Sequence, residues 1–220
     1  MIGEELQASF RNPVGMQNRS ERQKKTMNTR KLILMPEMIG TPDSAALGGK
    51  GANLARMTRW GLPVPPWFVL PAGTFRRHFP EALANAAAEA IRDYFAAASL
   101  DSDTGQALHS ILTENGWESS FFAVRSSAAD EDGSESSFAG QLDSFLWVPA
   151  GEIDAAVVRV WASAFSERAM AYRRNTGLGA GGIRVAVVVQ RMLTPETSGV
   201  AFGIDPVTGN RRSIVISATY

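Results

Sequence analysis

VAVVVQRMLTPETSGVAFGIDPVTG, residues 185–209, decides how this chain folds. Val185–Val189 is an unbroken apolar run, four of its five residues β-branched, too short for an independent helix and suited to a central strand buried on both faces. The strand is expected over Arg184–Met192. Beyond it Gln190-Arg191-Met192-Leu193 leads out of the core. Gly199–Ile204 and Ser213–Ala218 read as two further strands, and Asp205-Pro206-Val207-Thr208-Gly209 between them as a hairpin turn.

Upstream, helices and strands mix without a repeating βα unit. Leu32–Met35 is a short apolar strand. Gly48-Gly49-Lys50-Gly51 opens a helix that carries Leu54 and Met57 and closes near Gly61. Pro63, Pro65 and Pro66 force an extended connection into the strand Trp67–Leu70. The Ala-rich segment Glu81–Ala98 predicts a helix, and Gly105–Asn115 a shorter one. Phe121–Val124 is a strand, Ser126–Ser137 a polar loop, and Gln141–Val148 another strand. Ile153, Val157, Val160, Trp161 and Ala164 recur at helical spacing, which predicts one amphipathic helix over Glu152–Asn175. The fold class is therefore α+β. Residues 11–31 are polar and basic, so 1–31 is expected to be a disordered tail ahead of a globular unit at 32–220.

Composition narrows the function classes. Twenty-two Lys and Arg balance twenty-two Asp and Glu, which argues against nucleic acid as the main partner. The absence of Cys excludes a disulfide framework, a zinc ribbon and a thiol nucleophile. His78 and His109 are the only imidazoles, too few for a His-rich metal site, and their polar helical surroundings place both at the surface. No apolar run approaches the ~20 residues that span a bilayer, and no apolar leader is visible, so no membrane partner and a cytoplasmic location are expected.

Four segments have the residue types for chemistry. Gly48-Gly49-Lys50-Gly51 suits an anion: glycines allow backbone N–H groups to approach closely, and Lys50 adds a point charge. It departs from a P-loop, with Ser44 in place of the first Gly and Gly51 in place of the metal-binding hydroxyl residue. A solvated helix start explains it equally. Arg125-Ser126-Ser127 at a strand end would gather a guanidinium and two hydroxyls suited to phosphate oxygens. The acidic run Asp130-Glu131-Asp132 would hold magnesium or merely keep a loop soluble. Ser137–Ser144, with Gly140, reads as a phosphate-covering turn or an ordinary surface loop. Gln190–Leu193 reads as a linker offering backbone groups to a planar base, or as the end of a buried strand.

Together GGKGANLARMTRWGLPVPPWFVL (48–70), FAVRSSAADEDGSESSFAGQLDSFL (122–146) and the 185–209 segment closely resemble the nucleotide-binding domain of the phosphoenolpyruvate synthase and pyruvate phosphate dikinase family, which rifampicin phosphotransferase shares. The resemblance covers about residues 32–220. It implies an ATP-grasp-like fold with ATP between two subdomains, of which this chain holds the first and the opening strands of the second, linked near 190–193. It implies an enzyme that phosphorylates a histidine on a separate swivelling domain with release of AMP and phosphate, and then passes the phosphate to pyruvate. By position, Lys50 and Arg125 match the catalytic, phosphate-contacting residues. Gly140 and Ser144 match the phosphate-covering loop, and Gln190, Arg191 and Met192 match the adenine linker. Magnesium is implied with ATP, its ligands expected beyond Tyr220, so no metal ligand is assigned here. The phosphohistidine and pyruvate-binding domains are likewise expected outside the chain, since neither His78 nor His109 has the Gly-rich, Ser-His context. Trp67 stands where the family commonly has Gly. The foremost expectation is a phosphoenolpyruvate synthase-like enzyme. The alternatives are a rifampicin-type phosphotransferase, or a non-catalytic nucleotide-binding module should the short chain be complete.

Overall fold

β-Branched and aromatic segments pair into one antiparallel sheet: β1 (Trp67–Leu70), β2 (Phe121–Ala128), β3 (Ser144–Pro149) and β4 (Val185–Arg191), in the order β1-β4-β2-β3. The computed structural model describes residues 32–83, 86–128, 142–175 and 183–219. β4 lies between β1 and β2, and Val185–Val189 is buried throughout, as the apolar run predicts. The predicted strand Leu32–Met35 reduces to one bridge, Leu34 to Val69, before Pro36 starts a short 3₁₀ turn.

Side-chain alternation gives the sheet two faces. Phe68, Leu70, Phe122, Val124, Val187 and Val189 enter the larger core. It is closed by α2 (Ala72–His78), α3 (Ala88–Ala97), α4 (Ser102–Glu114) and α5 (Ile153–Ser163). Phe75 anchors it, with ring centroids 5.9 Å from Trp161 and 6.0 Å from Phe95. On the opposite face Trp67, Val69, Ala186 and Val188 pack under α1 (Ser44–Arg59) through Leu47 and Ala55. β5 (Ser198–Phe202) and β6 (Val215–Thr219) form a separate antiparallel pair. Its connection turns as predicted: the Asp205 carboxylate accepts from the Val207 and Thr208 N–H groups, and Gly209 adopts φ +69°.

Three helix expectations change. Of the Ala-rich segment, 81–83 is a 3₁₀ turn, and the helix is α3, which buries Ile91 and Phe95 one turn apart. Propensity alone does not sustain the longer helix; packing of an apolar face does. α4 begins three residues early, because Asp101 caps it by accepting from the Thr104 N–H at 2.8 Å. The predicted helix over Glu152–Asn175 breaks after α5 and restarts as α6 (Glu167–Asn175), capped by Ser166, which accepts from the Ala169 N–H. The break turns Phe165 into the aromatic core.

His109 is exposed as expected, whereas His78 is not at the surface. Its ring packs against Trp161 at 4.9 Å, Nδ1 lies 2.9 Å from the Thr74 carbonyl oxygen, and Nε2 accepts from the Asp101 N–H at 3.0 Å. That pattern fits a neutral ring with its proton on Nδ1.

Asp101 joins this corner. Burial pushes its carboxyl up, but the Thr104 N–H and the Arg77 guanidinium outweigh that and hold it below the usual carboxylate range. A carboxyl with a lowered folded-state pKa adds stability above its unfolded value and loses it as pH falls through the folded one. Asp101→Ala is therefore expected to cost about 0.5–2 kcal/mol at neutral pH, measured by denaturant unfolding. Asp101→Asn should flatten the loss of stability on acidification relative to the parent chain.

Candidate functional site

Strand register builds the site. In β2 the alternate residues Ala123, Arg125 and Ser127 share the α1 face, and they oppose Gln190, Val188 and Ala186 of β4. Across the other edge Arg125 opposes Ser144 of β3. α1 covers the Ser127 end. At the other end Ala123, Arg125, Ser144, Leu146, Gln190 and Arg191, with Pro65, Met192 and Leu193, line an open cleft of about 470 Å³.

A bulge shapes one wall. Phe122 pairs with Val148 but Val124 with Phe145, so Leu146 and Trp147 together oppose Ala123. Trp147 takes up the extra residue at φ +57°, Leu146 stays on the cleft, and Val148 returns to the core. Trp147 stands outside, edge-on to Phe121 at 6.1 Å. Leu146 and Pro65 were absent from the sequence-derived site. The legible signal for the first was Leu146-Trp147-Val148, three apolar residues in succession where a half-exposed strand should alternate.

Five of the predicted residues, Arg125, Ser144, Gln190, Arg191 and Met192, meet at this cleft. Gln190 Nε2 donates to the Pro65 carbonyl at 3.3 Å. The N–H groups of Arg191 and Met192 donate to the Pro66 and Phe121 carbonyls, both at 2.8 Å. Those two amides are engaged by the protein itself, so they are not among the backbone groups that the linker can offer to a ligand. Gly140 lies outside the described residues, as does the acidic run at 130–132.

Lys50 is not among the cleft-lining residues, but its turn is fastened to the same strand. α1 kinks at Gly48, which takes φ +69°, and a Cβ there would lie 2.0 Å from the Ser127 carbonyl oxygen. The Ser127 hydroxyl donates to the Leu47 carbonyl at 2.7 Å and accepts from the Gly51 N–H at 3.0 Å. This overturns the reading of Arg125-Ser126-Ser127 as a guanidinium with two hydroxyls at one mouth. β2 continues to Ala128, so Ser126 points to the core side and Ser127 is used beneath α1.

The cleft's chemistry is two-sided. Arg125 brings a guanidinium and Ser144 a hydroxyl, while Arg191, paired with Phe122, falls on the alternate face of β4 and lines the cleft at the strand end. Among the described lining residues there is no carboxylate, and Leu146, Met192 and Leu193 form an apolar wall. Such a site suits an anion attached to a flat, weakly polar group. Among the described residues no cluster of three or more His, Asp or Glu is placed to hold a metal ion. No described helix is long and apolar enough to cross a membrane.

Residues 44–220 match the family described as "Pyruvate phosphate dikinase, AMP/ATP-binding domain". Among curated relatives, a rifampicin phosphotransferase of a Streptomyces species is 36% identical over 211 residues, 86% of this chain and 24% of its own. A probable phosphoenolpyruvate synthase of Methanothermobacter thermautotrophicus is 33% identical over 210 residues, 84% of this chain and 31% of its own. The phosphoenolpyruvate synthase of Aeropyrum pernix is 34% identical over 216 residues, 87% and 26% respectively. The chain thus spans roughly a quarter to a third of the length of these relatives.

Proposed function

Because the chain belongs to the pyruvate phosphate dikinase AMP/ATP-binding domain family, we propose that it is the ATP-binding part of a dikinase-type phosphotransferase whose whole reaction is phosphoenolpyruvate synthase-like. The observation that carries this reading is the convergence of Arg125, Arg191 and Ser144 with Gln190, Leu146 and Met192 on one cleft. The Arg125 guanidinium and the Ser144 hydroxyl are the side for phosphates, and the apolar wall with the Gln190 amide is the side for the base. In an ATP-grasp-like arrangement this sheet face is one of two walls around the nucleotide.

Each residue then has a physical task. The planar fork of Arg125 donates two parallel hydrogen bonds to phosphate oxygens and stabilises charge that grows on them during transfer. Ser144, directly opposite on β3, donates to the same group. Gln190, fixed by Pro65, meets the base edge, and Leu146, Met192 and Leu193 cover its faces. Lys50 supplies a point charge at the kink of α1, and Gly140 is assigned to the covering loop. Magnesium would neutralise phosphate charge, but the described residues do not form a cradle for it. His78 has both ring nitrogens engaged, and His109 stands on α4, in the layer on the sheet face opposite the cleft, so the phosphorylated histidine, like the pyruvate site, is assigned to parts of the protein outside this chain. The location proposed is the cytoplasm.

Incubating the native gene product with Mg-ATP and pyruvate should yield AMP, phosphate and phosphoenolpyruvate. The 36% identity to a rifampicin phosphotransferase supports a second reading, in which a small molecule replaces pyruvate. AMP formed with rifampicin and not with pyruvate would select it. ADP as the product, or no ATP consumption with either acceptor, would contradict both.

A further inference from the structure

We propose that Ser127 is a positioning residue that sets Lys50 against Arg125, an inference that rests on the nucleotide reading above. In an unbroken α-helix the Gly51 N–H would bond to the Leu47 carbonyl, four residues back. The positive φ of Gly48 opens that rung, and the Ser127 hydroxyl fills it, donating to Leu47 and accepting from Gly51. A single side chain from β2 thus bridges both sides of the Gly48-Gly49-Lys50 turn. Insertion of a side chain into the helical ladder is a recognised cause of a kink.

The geometry leaves little play. Ser127 is 0% exposed, so a lost partner is not replaced by solvent. Gly48 backs onto the Ser127 carbonyl so closely that no Cβ fits between them. Gly51, whose N–H is held, is the immediate neighbour of Lys50. Ser127 and Arg125 lie on one face of β2, two residues apart, which is about 6.6 Å along the strand. The hydroxyl therefore registers the lysine-bearing turn directly to the arginine-bearing strand.

A double-mutant cycle on ATP affinity, read with amide exchange, tests this. Ser127→Ala is expected to weaken ATP binding about tenfold, or ~1.4 kcal/mol, close to the loss expected from Lys50→Ala, since the hydroxyl acts by placing that one charge-assisted contact. In a Lys50→Ala background the further change at Ser127 should weaken it hardly at all, because the hydroxyl acts through the lysine. The Gly51 amide should exchange faster in Ser127→Ala without nucleotide, while β2–β4 ladder amides keep their protection. Thr74→Val is the control. Its hydroxyl is buried and donates to the Leu32 carbonyl at 2.6 Å, but it stands on α2 in the other layer, away from the cleft. It should leave ATP affinity unchanged. Additive losses in the double variant, or equal losses at Ser127 and Thr74, would overturn the positioning role. Unchanged Gly51 exchange in Ser127→Ala would overturn this inference alone, whereas a parent chain that does not bind ATP would overturn the nucleotide reading and with it the role given to Lys50.

Discussion

Gly48→Ala should destabilise the chain by about 2–5 kcal/mol, from two separable causes. A residue with a Cβ at φ +69° carries the left-handed penalty of ~1–2 kcal/mol. The added carbon also meets the backbone of Ser127, at 2.0 Å from its oxygen and 2.2 Å from its carbonyl carbon, and backbone in a central strand cannot swing aside. Forced overpacking of this kind costs a further ~1–3 kcal/mol. Gly61 provides the comparison. It has φ +72° but nothing within 4 Å of where a Cβ would stand, so Gly61→Ala should carry only the conformational penalty. Denaturant midpoints at unchanged slope measure both. Equal losses at the two glycines would show that the clamp between α1 and β2 has been misread.

Arg125→Ala is expected to weaken ATP binding about 10–100-fold, the scale of one lost charge-assisted contact of ~1.5–3 kcal/mol. In the native gene product the rate should fall further, by ~10²–10³-fold, since a group aimed at developing charge matters most in the transition state. Arg125→Lys keeps the charge and loses the planar fork, so it should recover part of the affinity and little of the rate. Stability should hardly change, because Arg125 is only half-buried and faces an open cleft. Calorimetric titration and steady-state rates separate these effects. Affinity and rate both unchanged in Arg125→Ala would remove the residue from the site.

How far the sequence carried depends on the kind of information each segment holds. The strands around Val185–Val189 and Trp67–Leu70 were legible because a short β-branched or aromatic run between turn signals has few alternatives. The kink at Gly48 was legible only as a glycine cluster. Its partner, Ser127, lies 76 residues from Gly51, and no local pattern connects them. The Ser126 and Ser127 hydroxyls were misplaced because two serines read as a loop, whereas pairing with Val187 and Ala186 of β4 extends the strand through both. His78 was misread for the same reason: its flanks are polar, but Trp161 and the Asp101 N–H arrive from elsewhere in the chain. At the cleft, Arg125, Ser144 and Gln190 were legible as motif residues, while Leu146 became a lining residue only through the bulge opposite Ala123.

If the cleft between Arg125, Ser144 and Gln190 takes ATP, a titration of the isotope-labelled chain with ATP, followed by backbone amide shifts, will show it residue by residue. The prediction is saturable movement of amides at Ala123, Arg125, Ser144, Leu146 and 190–193, with the α2–α5 layer unmoved and the response weakened by Arg125→Ala. A folded chain whose cleft amides stay still at millimolar ATP, or whose shifts gather on the α2–α5 layer, would contradict it.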